Sequence, residues 1–303
     1  MKKLLKAAAL LALVTVIFVG CAGSGESAQP EEGTVEYSNL TEEVSRNLLE
    51  EALGEAGVQE ERIQSLMTRV DRFNAGVKAE WLTKGFEKAP AVFTKYDPYA
   101  MQDEWAAQNG TFPGYNCRIT AFGLLGDRIT VAPDAPATQG EDFLFLDLET
   151  LNQDGAVLCG EPQAKFCALF APVTAADSVK TEDQVQALQK GWSQRGIGFS
   201  EGKARLITVI FHDRFSDDGG TLSVGHTGVL LPGKDEGLLF IEKVAFQEPY
   251  RLVKFRDRQA LSDYLMEKYD TAWGQSTARP FVMENDRLLE GFRPNPLLLE
   301  EES

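Results

Sequence analysis

The chain is expected to fold as an α+β protein, with a helical N-terminal half packed on an antiparallel sheet, because its hydrophobic period changes along its length. Between residues 41 and 77 apolar side chains recur at helical spacing; between 204 and 246 the sequence is β-branched and strand-like, with one polar turn segment inside it. Helices first and antiparallel strands later define that class.

The N-terminus is read as targeting. Lys2, Lys3 and Lys6 precede an apolar run from Ala7 to Val19 that is too short for a comfortable membrane span. The run closes on Phe18-Val19-Gly20-Cys21, which resembles the lipobox of bacterial lipoproteins. That resemblance implies cleavage before Cys21 and acylation of its thiol, so that residues 1–20 are a signal peptide and the mature chain is held to a membrane from outside the cytoplasm. Residues 21–36 are small, polar and acidic, the composition of a flexible tether. The remainder, 37–303, is expected to be a single globular domain.

Within it, Thr41 to Ala56 reads as a helix stopped by Gly57. Glu60 to Val77 reads as a second, carrying Ile63, Leu66, Met67, Val70 and Phe73 on one side. A third amphipathic stretch covers Ala79 to Lys88, and a loop-like aromatic passage runs from Tyr96 through Trp105 to Gly114. Asn116 is a good N-cap for a buried helix reaching about Ile129, which puts Cys117 in its first turn. Strands follow at Ala204–His212, Thr221–Leu231 and Gly237–Phe246, with residues 232–236 as the hairpin loop, and a helix from Asp257 to Tyr269 closes the sheet.

Composition excludes some functions. The net charge is -16, and loss of Lys2, Lys3 and Lys6 with residues 1–20 takes it to -19, which repels nucleic acid and anionic headgroups alike. Membrane attachment therefore falls to the lipid at Cys21. His212-Asp213 and the acidic turn Asp217-Asp218-Gly219-Gly220 fit no calcium loop, and two histidines cannot build a histidine-rich zinc site, so neither a metal nor another cofactor is expected. Cys159 and Cys167 are close in sequence in an exported chain and form a candidate disulfide.

Three residues carry chemistry. A thiol at a helix N-terminus, such as Cys117, is exposed to unpaired N–H groups and the positive end of the helix dipole, which favour the thiolate; a buried cysteine otherwise packs as a small hydrophobe. Side-chain parity puts Leu222, Val224, His226, Gly228 and Leu230 on one strand face, and Leu238, Phe240, Glu242, Val244 and Phe246 on one face of the next. Pairing Leu231 with Gly237 places His226 directly opposite Glu242, and burying either alone would cost several kcal/mol.

Cysteine at a helix start, histidine on a strand and a polar residue on the adjacent strand resemble the NlpC-type branch of the papain-like cysteine peptidases and amidases. Gly225-His226-Thr227-Gly228-Val229 is similar to the His-x-Gly strand that carries the base there. The resemblance implies Cys117 as nucleophile, His226 as base and Glu242 as the third member, with an insertion at about residues 131–203. No glutamine lies six residues before Cys117, so the oxyanion candidates are its own backbone N–H and the side chains of Asn116 and Tyr115.

A broader resemblance, to an uncharacterised family of bacterial lipoproteins, the domain of unknown function 4300, rests on Tyr37-Ser38-Asn39-Leu40, Asn116-Cys117-Arg118-Ile119-Thr120-Ala121-Phe122, Gly225-His226-Thr227-Gly228-Val229, Phe240-Ile241-Glu242-Lys243, Phe246-Gln247-Glu248-Pro249-Tyr250 and Arg279-Pro280-Phe281-Val282-Met283-Glu284-Asn285. It implies no activity. Two expectations follow: a surface-tethered cysteine hydrolase acting on peptide or amide bonds, with cell-wall peptide as the natural substrate, or a non-catalytic envelope lipoprotein that binds a ligand or partner and keeps Cys117, His226 and Glu242 as core.

Overall fold

A computed structural model describes residues 34–301, except 93, 134–141, 217–218, 235 and 272–275. The expected signal peptide, Cys21 and most of the expected tether lie outside the described residues. Thr34, Val35 and Glu36, expected in the tether, instead begin strand β1 (Thr34–Ser38).

The fold is α+β. Helices α1 (Glu43–Glu55) and α2 (Glu60–Ala75) fall where the apolar period places them, α2 burying Ile63, Leu66, Met67, Val70 and Phe73. The stretch Ala79–Lys88 is not a helix: after a single 3₁₀ turn at Ala79–Trp81 it enters strand β2 (Glu87–Pro90), whose pairing with β1 overrides a weak amphipathic pattern. The passage from Tyr96 is helical rather than loop-like. Its helix α3 (Pro98–Asn109) starts on Asp97, whose carboxylate accepts from the N–H groups of Tyr99 and Ala100, with Pro98 at the first position, where its missing N–H costs nothing.

Helix α4 (Cys117–Leu125) follows, then a 3₁₀ turn to Arg128 and the short strand β3 (Ile129–Thr130). Between β3 and β6 lie helices α5 (Phe145–Gln153), α6 (Gln163–Phe170) and α7 (Thr181–Gln194), with strands β4 (Val173–Thr174) and β5 (Gly198–Phe199). The C-terminal part is β6 (Arg205–Ser216), β7 (Gly219–Pro232), β8 (Leu238–Lys243), β9 (Tyr250–Phe255), α8 (Arg258–Tyr269), β10 (Phe281–Glu284), β11 (Arg287–Leu288) and α9 (Pro296–Glu301). The main sheet runs β11-β10-β6-β7-β8-β9-β1-β2 with antiparallel neighbours, and β4 pairs with the outer part of β7.

Alternating strand residues feed two cores on opposite faces. Leu239 and Ile241 join Val229 and Leu231 with Phe73, Phe122 and Phe170 from the helices of the first half. Phe240 and Leu230 join Ile207 and Val209 against Leu261, Tyr264 and Leu265 of α8. Helix α8 therefore does close the sheet, from the side opposite α4.

One face assignment changes. Val209 pairs with His226, but Ile210 pairs with Val224, so Gly225 is an extra residue on β7, a β-bulge. A side chain is excluded there, because a Cβ on Gly225 would lie 2.3 Å from the Phe211 ring. The bulge reverses parity: Leu222 and Val224 pack in the first core and Leu230 in the second. The expected single face for Leu222, Val224, His226, Gly228 and Leu230 is thus split at Gly225. Similarly, β8 ends at Lys243, so Val244 and Phe246 do not continue the face of Leu238, Phe240 and Glu242.

Candidate active site

Cys117 is the first residue of α4, and Asn116 caps the helix by accepting the N–H of Ile119 on its side-chain oxygen at 3.0 Å. The backbone N–H groups of this first turn have no acceptor within the helix. The other end of the Asn116 amide donates to Asp147, which is fully buried and also takes two bonds from Arg118, at 3.0 and 2.7 Å. Helix α5 thus holds the start of α4 in place.

The sheet has a seam at this point. Strand β8 accompanies β7 as far as Gly228, opposite Glu242, and β4 takes over only at Leu222. Between them the start of α4 meets the β7 edge: Arg118 donates to the carbonyl of Val224 at 3.1 Å, and the Cys117 thiol has the backbone of Thr227 as a hydrogen-bonding neighbour. Through this seam a thiol from a helix on the first face meets a ring that points to the second.

The hairpin register differs from the expected one by two residues. Leu231 pairs with Leu239, not Gly237, because β8 begins at Leu238 and the loop is shifted by a residue at each end. An even shift keeps faces unchanged, so His226 lies diagonal to Glu242, within the reach of long side chains. Gly228 is the residue opposite Glu242; a Cβ there would lie 2.4 Å from the Phe240 ring. Across the vacant corner His226 Nε2 donates to Glu242 Oε2 at 2.6 Å. That leaves Nδ1 for the thiol, and a hydrogen bond between Cys117 and the ring is among the interactions acting on both groups. The ring stacks on Tyr269, with centroids 5.0 Å apart.

The electrostatics favour a charged pair. Burial pushes the Cys117 thiol up, but the hydrogen bond and charge of His226, together with Arg118, outweigh it and bring the pKa below the ordinary thiol value. Burial pushes His226 down, and the bonds to Cys117 and Glu242 reverse this, so its pKa is raised. Glu242 is buried too, yet Lys268, His226 and Arg251 keep it ionised far below the usual carboxylate range. Thiolate, imidazolium and carboxylate are mutually supporting protonation states.

Sequence reasoning missed what surrounds Glu242. The Tyr264 hydroxyl donates to Oε1, Lys268 Nζ lies 3.5 Å from the same oxygen, and Arg251 is its cross-strand neighbour on β9. A signal was present: Lys268 continues the apolar α8 face of Leu261, Tyr264 and Leu265, where a cation needs a buried partner.

Two expected roles are not supported by the side-chain positions. The Tyr115 hydroxyl donates to Asp154 at 2.5 Å and so is not available as an oxyanion donor, whereas the Asn116 amide spends its oxygen on Ile119 and one of its two N–H donors on Asp147. Cys159 and Cys167 are not bridged to each other; Cys159 ends a 3₁₀ turn in the left-handed region and points its sulfur at the carbonyl of Val157, while Cys167 lies within α6. Among the described residues no group of three or more His, Cys, Asp or Glu side chains could hold a metal, and no helix is long and apolar enough to cross a membrane.

The chain matches no curated protein and no solved structure. Residues 36–289, from β1 to the end of β11, fit the family described as a domain of unknown function, DUF4300, and the chain belongs to that family.

Proposed function

We propose that the protein is a membrane-tethered, extracytoplasmic cysteine hydrolase that cleaves peptide or amide bonds of the cell envelope. The observation that carries the reading is the convergence of a helix-start thiol, a histidine and an ionised carboxylate, with His226 held 2.6 Å from Glu242 and its other nitrogen left for Cys117. The Cys117 thiolate attacks the carbonyl carbon, and the first-turn N–H groups of α4 stabilise the oxyanion. His226 gives its proton to the leaving amine as the C–N bond breaks, leaving a thioester. Neutral His226 then takes a proton from water as its oxygen attacks, and the thiolate departs to restore the ion pair. Glu242 orients the ring and stabilises its charge.

A specific observation favours the non-catalytic reading: Cys117 is 6% and His226 1% exposed. Alkylation separates the two. In the full chain, iodoacetamide should modify Cys117, mapped by peptide mass, with a rate midpoint below the ordinary thiol pKa of about 8.5. The sign follows from a lowered thiol pKa, which keeps the thiolate populated at lower pH. His226→Ala should remove the advantage and move the midpoint upward. A thiol inert at all pH below 9, or equally reactive in both proteins, would return the cluster to core packing.

The tether has its own test. Cys21→Ser should yield unprocessed or released protein, and labelled fatty acid should no longer enter the chain; continued labelling of the variant rules out acylation at Cys21.

A further inference from the structure

The carboxylate beside His226 is neutralised from helix α8, by a residue with no part in the proposed steps. Lys268 Nζ lies 3.5 Å from Glu242 Oε1 and donates at 3.2 Å to the Tyr264 hydroxyl, which itself donates to that oxygen. The ammonium also lies 4.9 Å from the Tyr264 ring centroid and 5.4 Å from that of Tyr269, the ring stacked on His226. Its side chain is 11% exposed. Glu242 therefore has two working oxygens, one for the imidazole and one for the lysine.

We propose that Lys268 is a positioning residue that sets the pH range over which His226 keeps its proton, by offsetting the charge of Glu242 from the side away from the ring. The proposal rests on the reading of Cys117 and His226 as nucleophile and base. A base works best when its pKa lies near the ambient pH, and an uncompensated buried carboxylate would hold the imidazolium proton too firmly. Other charges face this cluster. Cys117 and Arg118 come from α4, with Arg118 committed to Asp147. Lys243 of β8 is tied to the carbonyls of Ala245, Phe246 and Glu248, and the Glu248 carboxylate accepts from the Tyr96 hydroxyl. Arg251 comes from β9, and Tyr264 and Tyr269 from α8. Lys268 is the α8 cation on Glu242, and burial, which lowers its own pKa, is opposed by that carboxylate.

Removing the Lys268 charge removes the repulsion between ammonium and imidazolium, which leaves the attraction of Glu242 for the ring uncompensated. The His226 midpoint should therefore rise, by about one pH unit for a cation a few residues' width away in a medium of effective dielectric near 20.

The test is a ring titration by NMR of the full chain labelled with ¹⁵N-histidine. The chain has two histidines, so the His226 signals are those lost in His226→Ala. Lys268→Met and Lys268→Gln should both raise the midpoint by about one unit, and Lys268→Arg should restore the wild-type value. Lys268→Gln keeps a donor for the Tyr264 hydroxyl and so preserves the packing if the methionine variant does not fold. An unchanged midpoint in a cooperatively melting neutral variant overturns the proposal, as does an equal rise in Lys268→Arg. Iodoacetamide on the same samples keeps the two readings apart: an inert Cys117 with a shifted midpoint removes the hydrolase but leaves the assignment of Lys268, and a reactive thiol with an unmoved midpoint does the reverse.

Discussion

Glu242→Ala should destabilise the fold by about 3–5 kcal/mol, the range found when one member of a buried ionic group is removed. The variant leaves the Lys268 ammonium and the Arg251 guanidinium without their carboxylate, and it strips the Tyr264 hydroxyl and the His226 N–H of their acceptor. Urea unfolding followed by circular dichroism measures the loss. A change below about 1 kcal/mol, the scale of an exposed ion pair, would mean that water compensates the cluster. The pH dependence has a definite sign. Because the folded-state pKa of Glu242 is depressed, its stabilisation is fully present above the unfolded carboxylate value of about 4.3 and is lost as pH falls toward the folded value. The acid-side fall in stability should be shallower in Glu242→Gln than in the wild type.

Asp147→Ala should be comparably severe, about 3–5 kcal/mol, for a related reason. Asp147 is fully buried and takes a bidentate pair from Arg118 and one bond from the Asn116 amide, so its loss strands a guanidinium and frees the residue that caps α4. The variant should also lower the alkylation rate of Cys117 at neutral pH, since the start of α4 is what carries the thiol to the β7 seam. Asp147→Asn restores one acceptor oxygen without charge and should recover part of the stability. Full reactivity of Cys117 in a folded Asp147→Ala protein would show that the seam is held by other contacts.

How much of the site was legible depends on the range of the interactions involved. Asn116 as cap and Cys117 in the first turn were readable because capping involves neighbours three residues apart. That His226 and Glu242 share a face was readable as well, although for an incomplete reason. The hairpin register was misplaced by two, and an odd error would have put Glu242 on the opposite face. The bulge at Gly225 is invisible to alternation, since one inserted residue reverses the parity of the strand beyond it and leaves no compositional mark beyond a glycine. Helix α3 is weakly marked by apolar period, since only Met101 and Trp105 are buried along it, and its clearest signal is the Asp97-Pro98 start.

By itself the sequence determined the α+β class, the helix that presents Cys117 and the need of His226 and Glu242 for polar company, because these follow from local periodicity, capping and the cost of burying a charge. The tertiary structure alone decided that the helix start enters a seam between β8 and β4, that His226 reaches Glu242 diagonally across Gly228, and that Lys268 and Arg251 balance the carboxylate from α8 and β9. Those contacts join segments far apart in the chain, and no local rule specifies which cation will lie over which anion until the sheet has closed and both faces are packed.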